Sequence, residues 1–319
     1  MGISWRMTDL LPDSITNSVF LRRDALAAGM SHAAIAAAVR DGDWVRLRHG
    51  AYVAGELYRR ATAEERHALL ARAVVRQSQT DVVLSHLSAV PEYGGPLWSL
   101  PTDVVHVTRL DRRAGRREAG VRQHQGLLQD GDVVLRDDVA VTSPTRTLID
   151  VTTCAHLEPA LVIVNDLLHR RLTTLVEARQ RYETMQHHPY TLKTDLVLRL
   201  ADPRIESVGE TRTFIVCWRQ GLPAPEPQWV VNDDLGHEFA RLDFAWPGYK
   251  VWLEFDGREK YTKFRREGES VIDAVLREKK RESKIAELTG WRCIRVTWDD
   301  LADPVRLAAR IAAVLRLAA

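Results

Sequence analysis

The sequence predicts an α+β protein built in three successive parts. Three observations predict it. Two short helical patterns run into a basic, alternating segment at the N-terminus; short β-like runs and helical patterns share the middle; alternating runs separated by tight turns, then two long helical patterns, make up the final third. A chain of 319 residues is long enough for two or three cores. With 45% hydrophobic and 28% charged residues it has a globular composition, which argues against a disordered or fibrous chain. The expected parts are residues 1–60, 61–190 and 200–319, the last boundary lying where polar residues interrupt the helical pattern near 186–205.

In the first part, LRRDALAAG (21–29) has helical apolar spacing and a glycine stop. Ser31 can then cap a second, alanine-rich helix that ends at Gly42. In DWVRLRHGAYVAG the side chains alternate, with Trp44, Arg46 and Arg48 expected on one face and Val45, Leu47 and His49 on the other, until His49-Gly50 turns the chain. Helix, turn, helix and basic hairpin follow one another in the order of a winged helix-turn-helix. Arg40, Arg46 and Arg48 would contact phosphates, and Ser31 and His32 stand where a recognition helix meets base edges. A small helical cap with a solvated basic edge is the alternative. The stretch LRRDALAAGMSHAAIAAAVRDGDWVRLRHGAYVAG resembles the AbiEi-type antitoxin family of bacterial transcriptional regulators, which implies a winged helix and double-stranded DNA as partner.

ATAEERHALLARAVVRQ reads as a helix capped by Thr62. DVVHVT, GVRQHQ, DVVL and VAVT read as short strands, and Ser143 with Pro144 opens another helix. VLSHLSAV and TSPTRTLIDV extend the resemblance to about half of the chain. His86, His106 and His124 have no metal-ligand spacing, so this α/β block is assigned a scaffold role. EPALVIVNDLLHRR and LVEARQRYETMQ are two further helices.

In the last part SVGETRTFIVCWRQG reads as a helix, and QWVV, FARLDFAW and KVWLEFDG as three antiparallel strands. Asp243, Glu254 and Asp256 thus fall on a hydrophobic hairpin, where carboxylates need something positive to meet them. Asp243 and Glu254 can converge across the hairpin on one hard cation such as Mg²⁺ or Mn²⁺. A capping role for Asp243 and a turn at Asp256-Gly257 are the plainer alternatives.

SVGE, RLDFAWP, VWLEFDG and EKKRESKIAELTGWRCIRVTW resemble the PD-(D/E)XK nuclease superfamily, and within it the very-short-patch-repair-like endonucleases. The resemblance implies a restriction-endonuclease-like mixed sheet flanked by helices, with Asp243 and Glu254 as metal ligands, Glu210 holding the metal through water, and metal-dependent cleavage of DNA. Asp256 stands where the superfamily pattern has a lysine, so the positive group would be Lys260 or Lys279. Alternatively the chain is a non-catalytic repressor or antitoxin with a degenerate nuclease-like part; RNA as substrate also stays open.

From Arg258 to Lys284 there are ten Lys or Arg against six Asp or Glu, a local basic field hidden by the net charge of +2. Lys279 and Lys280 lie on this segment's helix and would track phosphates. Cys154, Cys217 and Cys293 have no paired spacing and are expected as reduced thiols of a cytoplasmic protein. No signal-peptide pattern or membrane-length apolar run is seen, so no membrane partner is expected. A toxin partner or a homodimer stays open.

Overall fold

The computed structural model describes residues 19–111, 115, 117–185, 191–257 and 270–318. The fold is mixed α and β, with three separate sheets. The chain divides into two compact units: residues up to 167 with Leu172–Leu200, and Leu168–Arg171 with the residues from 201 onward.

The first unit begins with β1 (Phe20–Leu21), α1 (Arg22–Ala27) and α2 (His32–Arg40). Gly29, at φ +88°, provides the left-handed turn between the helices that a side chain would resist. Ser31 caps α2 as its spacing predicts, its Oγ accepting from the Ala34 N–H at 3.1 Å. Ile35 and Ala38 then bury with Phe20, Ala25, Trp44 and Tyr52. The hairpin of β2 (Trp44–Arg48) and β3 (Ala51–Ala54) is completed by β1, giving the order β1-β3-β2.

One expectation fails here. The β2–β3 register shifts between Arg46, opposite Tyr52, and Arg48, opposite Ala51. This irregularity breaks the alternation that would place Trp44, Arg46 and Arg48 on one face. Trp44 is buried, Arg46 exposed and Arg48 half-buried.

Past α3 (Gly55–Arg60), α4 (Ala63–Gln77) opens with a reciprocal capping box between Thr62 and Glu65. Arg76 on α4 donates to the Val19 carbonyl at 2.8 Å and to Asp24 at 2.9 Å, so residues on both sides of position 60 belong to this one unit.

The six-stranded sheet comprises β4 (Val82–Leu84), β5 (Val105–Arg109), β6 (Arg117–Glu118), β7 (Val121–Gln125), β8 (Val133–Arg136) and β9 (Val139–Thr142), in the order β6-β7-β5-β4-β9-β8. Its helices are α5 (Pro144–Cys154), α6 (Leu157–His169), α7 (Leu175–Glu183) and α8 (Leu192–Leu200). The sequence reading placed a polar break where α8 forms. Its buried residues Thr194, Val197 and Leu198 follow helical spacing that the surrounding polar residues obscure. A buried ionic network crosses this unit: Arg146 meets Asp150 at 2.8 Å and Asp132 at 2.9 Å, and Arg181 meets Asp132 at 2.6 Å.

The second unit contains α9 (Val208–Arg219), β10 (Glu226–Asn232), β11 (Glu238–Trp246), β12 (Val251–Asp256), α10 (Val271–Thr289), β13 (Arg292–Thr297) and α11 (Pro304–Ala318). The strands lie in sequence order; the first three are antiparallel and β13 runs parallel to β12, which makes the sheet mixed. One apolar cluster joins Phe244, Leu253, Phe255 and Val296 to Val216 of α9 and Leu307, Ile311 and Leu315 of α11. A second joins Leu242 and Trp252 to Ile285 of α10. Both long helical patterns of this unit therefore cover the sheet. The three cysteines are free, and burial pushes each thiol up to about 12. Among the described residues no helix is long and apolar enough to cross a membrane.

Candidate functional sites

The N-terminal candidate lies on α2 and the β2–β3 hairpin. Ser31 and His32 are exposed at the first turn of α2. The Ser31 hydroxyl already serves as the helix cap, so its acceptor capacity is partly used. Arg22 donates to His32 Nδ1 at 2.9 Å, which leaves Nε2–H as the ring's outward donor. Arg40 is exposed and pairs with its neighbour Asp41 at 3.3 Å, a contact of little energetic weight in water. Arg46 is exposed on β2, with the half-buried Arg48 beyond the register shift. The structure thus places four of the five predicted side chains at the surface, on one helix and one strand.

The acidic candidate arises from register. On β11 and β12, Phe244 stands opposite Leu253, and continuing that register by one residue brings Asp243 opposite Glu254. There the two strands stop exchanging backbone bonds, and Asp243 Oδ2 accepts the Phe255 N–H at 2.7 Å instead. Across β12–β13, Glu254 pairs with Arg295 and Asp256 with Thr297. On the other side, the pairs Pro227–Phe244 and Trp229–Leu242 leave Gln228, at φ +55°, level with Asp243.

Glu210 is delivered to this row by α9. Ser207 caps the helix, accepting the Glu210 N–H at 3.1 Å. A Cβ on Gly209 would stand 2.1 Å from the Phe255 ring, so only glycine lets the first turn of α9 press this closely on β12. The Glu210 carboxylate accepts from the Ser207 hydroxyl at 2.7 Å, the Glu206 N–H at 3.0 Å and the Gln228 amide at 3.2 Å. Burial and the neighbouring Asp243 charge outweigh these donors and push its pKa up to about 7.

Glu254 is only 2% exposed, and its charge is met by Arg281 of α10, whose guanidinium approaches Oε1 at 2.8 Å. Asp256 is met by Arg295 at 3.2 Å, which also binds Glu282 at 2.7 Å. Lys279 and Lys280 are exposed on α10; the described cation that reaches Glu254 is Arg281, two residues beyond Lys279. Lys260 lies outside the described residues.

Sequence reasoning missed Arg281, Arg295 and Gln228 as parts of the row. Arg281 stood unmarked in a charged run, Arg295 becomes a partner only through parallel pairing, and the backbone of Gln228 has no signature in its neighbours. The motif S-V-G-E did carry a signal for the capping contact between Ser207 and Glu210.

These donors are carboxylate oxygens of the kind that suit a hard divalent ion. Among the described residues no group of three or more His, Cys, Asp or Glu side chains is placed to hold a metal, and Arg281 already supplies the positive charge at Glu254.

Comparison with known proteins bears on the N-terminal candidate. Residues 13–55 match the family described as "Transcriptional regulator, AbiEi antitoxin", a span that contains α1, α2 and the hairpin. Two proteins of Mycobacterium tuberculosis are also similar. They are "Uncharacterized protein MT2308" from strain CDC 1551 / Oshkosh and "Uncharacterized protein Rv2248" from strain ATCC 25618 / H37Rv, each 30% identical over 172 residues. The alignment takes in 54% of this chain and 60% of each relative, so the chain spans less than two thirds of the length of the relatives it matches.

Proposed function

We propose that this protein is a DNA-binding transcriptional regulator of the AbiEi antitoxin type, with the helix-turn-helix and hairpin of residues 20–54 acting as a winged helix on double-stranded DNA. The observation that carries this reading is the placement of an exposed first turn of α2 beside a hairpin bearing Arg46 and Arg48, within the span similar to the regulator family. The arginines would hold phosphates and set the helix in a groove, where His32 Nε2–H and Ser31 face base edges. A toxin partner and a homodimer are compatible with this reading.

The test is a salt titration of binding to duplex DNA. Each arginine that neutralises one phosphate contributes roughly 0.9 to the slope of log affinity against log salt. The double variant Arg46→Ala/Arg48→Ala is expected to weaken binding and flatten the slope by about 2. An unchanged slope would move the DNA surface elsewhere.

A second reading adds catalysis. The opposition of Asp243 and Glu254, with Glu210 behind them, favours a nuclease-like second unit that uses Mg²⁺ or Mn²⁺ to hydrolyse phosphodiester bonds. In this reading Asp243 and Glu254 are the metal ligands, Glu210 and Asp256 supporting acids, Lys260 or Lys279 the positive group, and Lys279 and Lys280 a phosphate track. Arg281 and a metal ion would compete for Glu254. Arg281→Ala is therefore expected to raise Mn²⁺ affinity at least tenfold by calorimetry, with loss of that gain in Arg281→Ala/Glu254→Gln. Metal-independent behaviour of all three proteins, and intact plasmid after incubation with either ion, would leave the regulator alone standing.

A further inference from the structure

The first unit contains a cavity of about 510 Å³ that the functions above do not use. It opens between β7, Gly115 and α5, and its lining includes His86, Arg117, Arg122, His124, Arg146 and Asp150. Its volume is in the range of small-molecule sites, roughly 300–1,000 Å³.

Two features of this cavity are costly unless something occupies it. The first is at the floor. Asp150 is 2% exposed and gives Oδ1 to Arg146 at 2.8 Å, but Oδ2 is buried with no hydrogen-bond partner. His86 Nδ1, at 3.8 Å, is too far to supply one and is already engaged with the Ser85 hydroxyl at 2.9 Å. Leaving a buried acceptor unpaired is destabilising, the more so for a charged group.

The second is at the mouth. Arg117 on β6 stands directly opposite Arg122 on β7, and Arg122 stands opposite His106 on β5. Like charges directly opposite on neighbouring strands are destabilising. Both arginines are exposed, and neither has a hydrogen-bonding or ion-pairing partner among the described residues. Their field reaches inward, since Arg122 adds to burial in pushing His124 down to about 3. Neutral His124 stacks on His86 with ring centroids 3.6 Å apart and is hydrogen-bonded to His106 at 3.0 Å, so the wall between mouth and floor is a flat, uncharged surface.

One ligand relieves both costs. We infer that this cavity is a binding site for a small phosphomonoester, with the phosphate held by Arg117 and Arg122 and an N–H or O–H group at the other end of the ligand donating to Asp150 Oδ2. A two-pronged guanidinium pair suits a phosphate dianion, and a carboxylate acceptor at depth demands a donor on the organic part. Inorganic phosphate alone would satisfy only the mouth. Two sources supply the same chemistry: nucleoside monophosphates, whose heterocycle could lie against the imidazole stack, and sugar phosphates, whose hydroxyls would reach Asp150.

The full-length protein should be titrated calorimetrically with inorganic phosphate, a set of nucleoside monophosphates and a set of hexose and pentose phosphates. At least one organic phosphate is expected to bind tenfold or more tightly than inorganic phosphate. Arg122→Ala, at an exposed position, should weaken that ligand at least tenfold with unchanged circular dichroism. Thr153→Val, another lining residue, serves as a gently altered control that should retain it. Asp150→Asn should erase the preference for organic over inorganic phosphate if it folds. Should it not fold, the Arg122→Ala result decides alone. The proposal is overturned if no organic phosphate binds at about 1 mM, an affinity worth only about 4 kcal/mol. It is equally overturned if Arg122→Ala binds as the parent does, or if inorganic phosphate binds as well as every ester.

Discussion

His67, His86, His106 and His124 show how burial sets the behaviour of single residues in the first unit. Burial is the largest influence on each and lowers its pKa, with His106 falling to about 4 and His124 to about 3. In an unfolded chain these groups would take up a proton near the ordinary value of 6.5, so between the two values the unfolded state binds more protons. Stability from the neutral imidazoles is therefore fully present above about pH 6.5 and is lost as pH falls toward 4 and below. For His106 alone the loss is on the order of 3 kcal/mol at about 1.4 kcal/mol per unit. Thermal melts from pH 7 to 4 should show the first unit weakening steeply, and His106→Asn should flatten the dependence. A midpoint insensitive to pH over that interval would contradict neutral histidines. His86, His106 and His124 were legible as histidines without metal spacing. Their mutual stacking was not, because it requires the parallel pairing of β5 with β7 and the turn at His86–Ser88.

At the scale of elements, the helix starts were readable because capping is local chemistry. Ser31, Thr62 and Ser143 each hold the N–H three residues on, which a short window of sequence contains in full. The strand faces were less so. The register shift after Arg46 depends on how β2 meets β3, and the irregular backbone at Gln228 on how β10 meets β11. Between α9 and β12 the decisive feature is the space at Gly209. Gly209→Ala would force the Phe255 ring aside and is expected to destabilise the second unit by about 1–3 kcal/mol. It would also draw Glu210 away from Gln228 and Asp243. Chemical denaturation measures the first effect; a stability within about 0.5 kcal/mol of the parent would mean that the close approach is not real.

At the scale of the whole molecule, the chain has separate apolar cores in its two units: Phe20, Ile35 and Trp44 sit in one of the first, and Phe244, Leu253 and Ile311 in one of the second. Units with their own cores unfold as separate cooperative steps when their stabilities differ. Calorimetry is expected to resolve two transitions, with Gly209→Ala moving one of them and His106→Asn moving the other. A single transition displaced by both would show one cooperative body instead.

What the sequence determined by itself is the set of local decisions. The helix-turn-helix and hairpin followed from apolar spacing, a capping serine and turn glycines; the three strands that carry Asp243 and Glu254 followed from alternation. These rest on interactions within a few residues, so the neighbours that decide them are adjacent in the chain. The tertiary structure decided which charge meets which. Asp243 comes opposite Glu254 through antiparallel register, Arg281 reaches Glu254 from a helix 27 residues away, and Arg295 reaches Asp256 across 39 residues. Spacing could nominate the carboxylates because they sit on a hydrophobic hairpin. It could not choose between a metal ion and an arginine as their counter-charge, since that choice depends on the packing of α10 against the sheet.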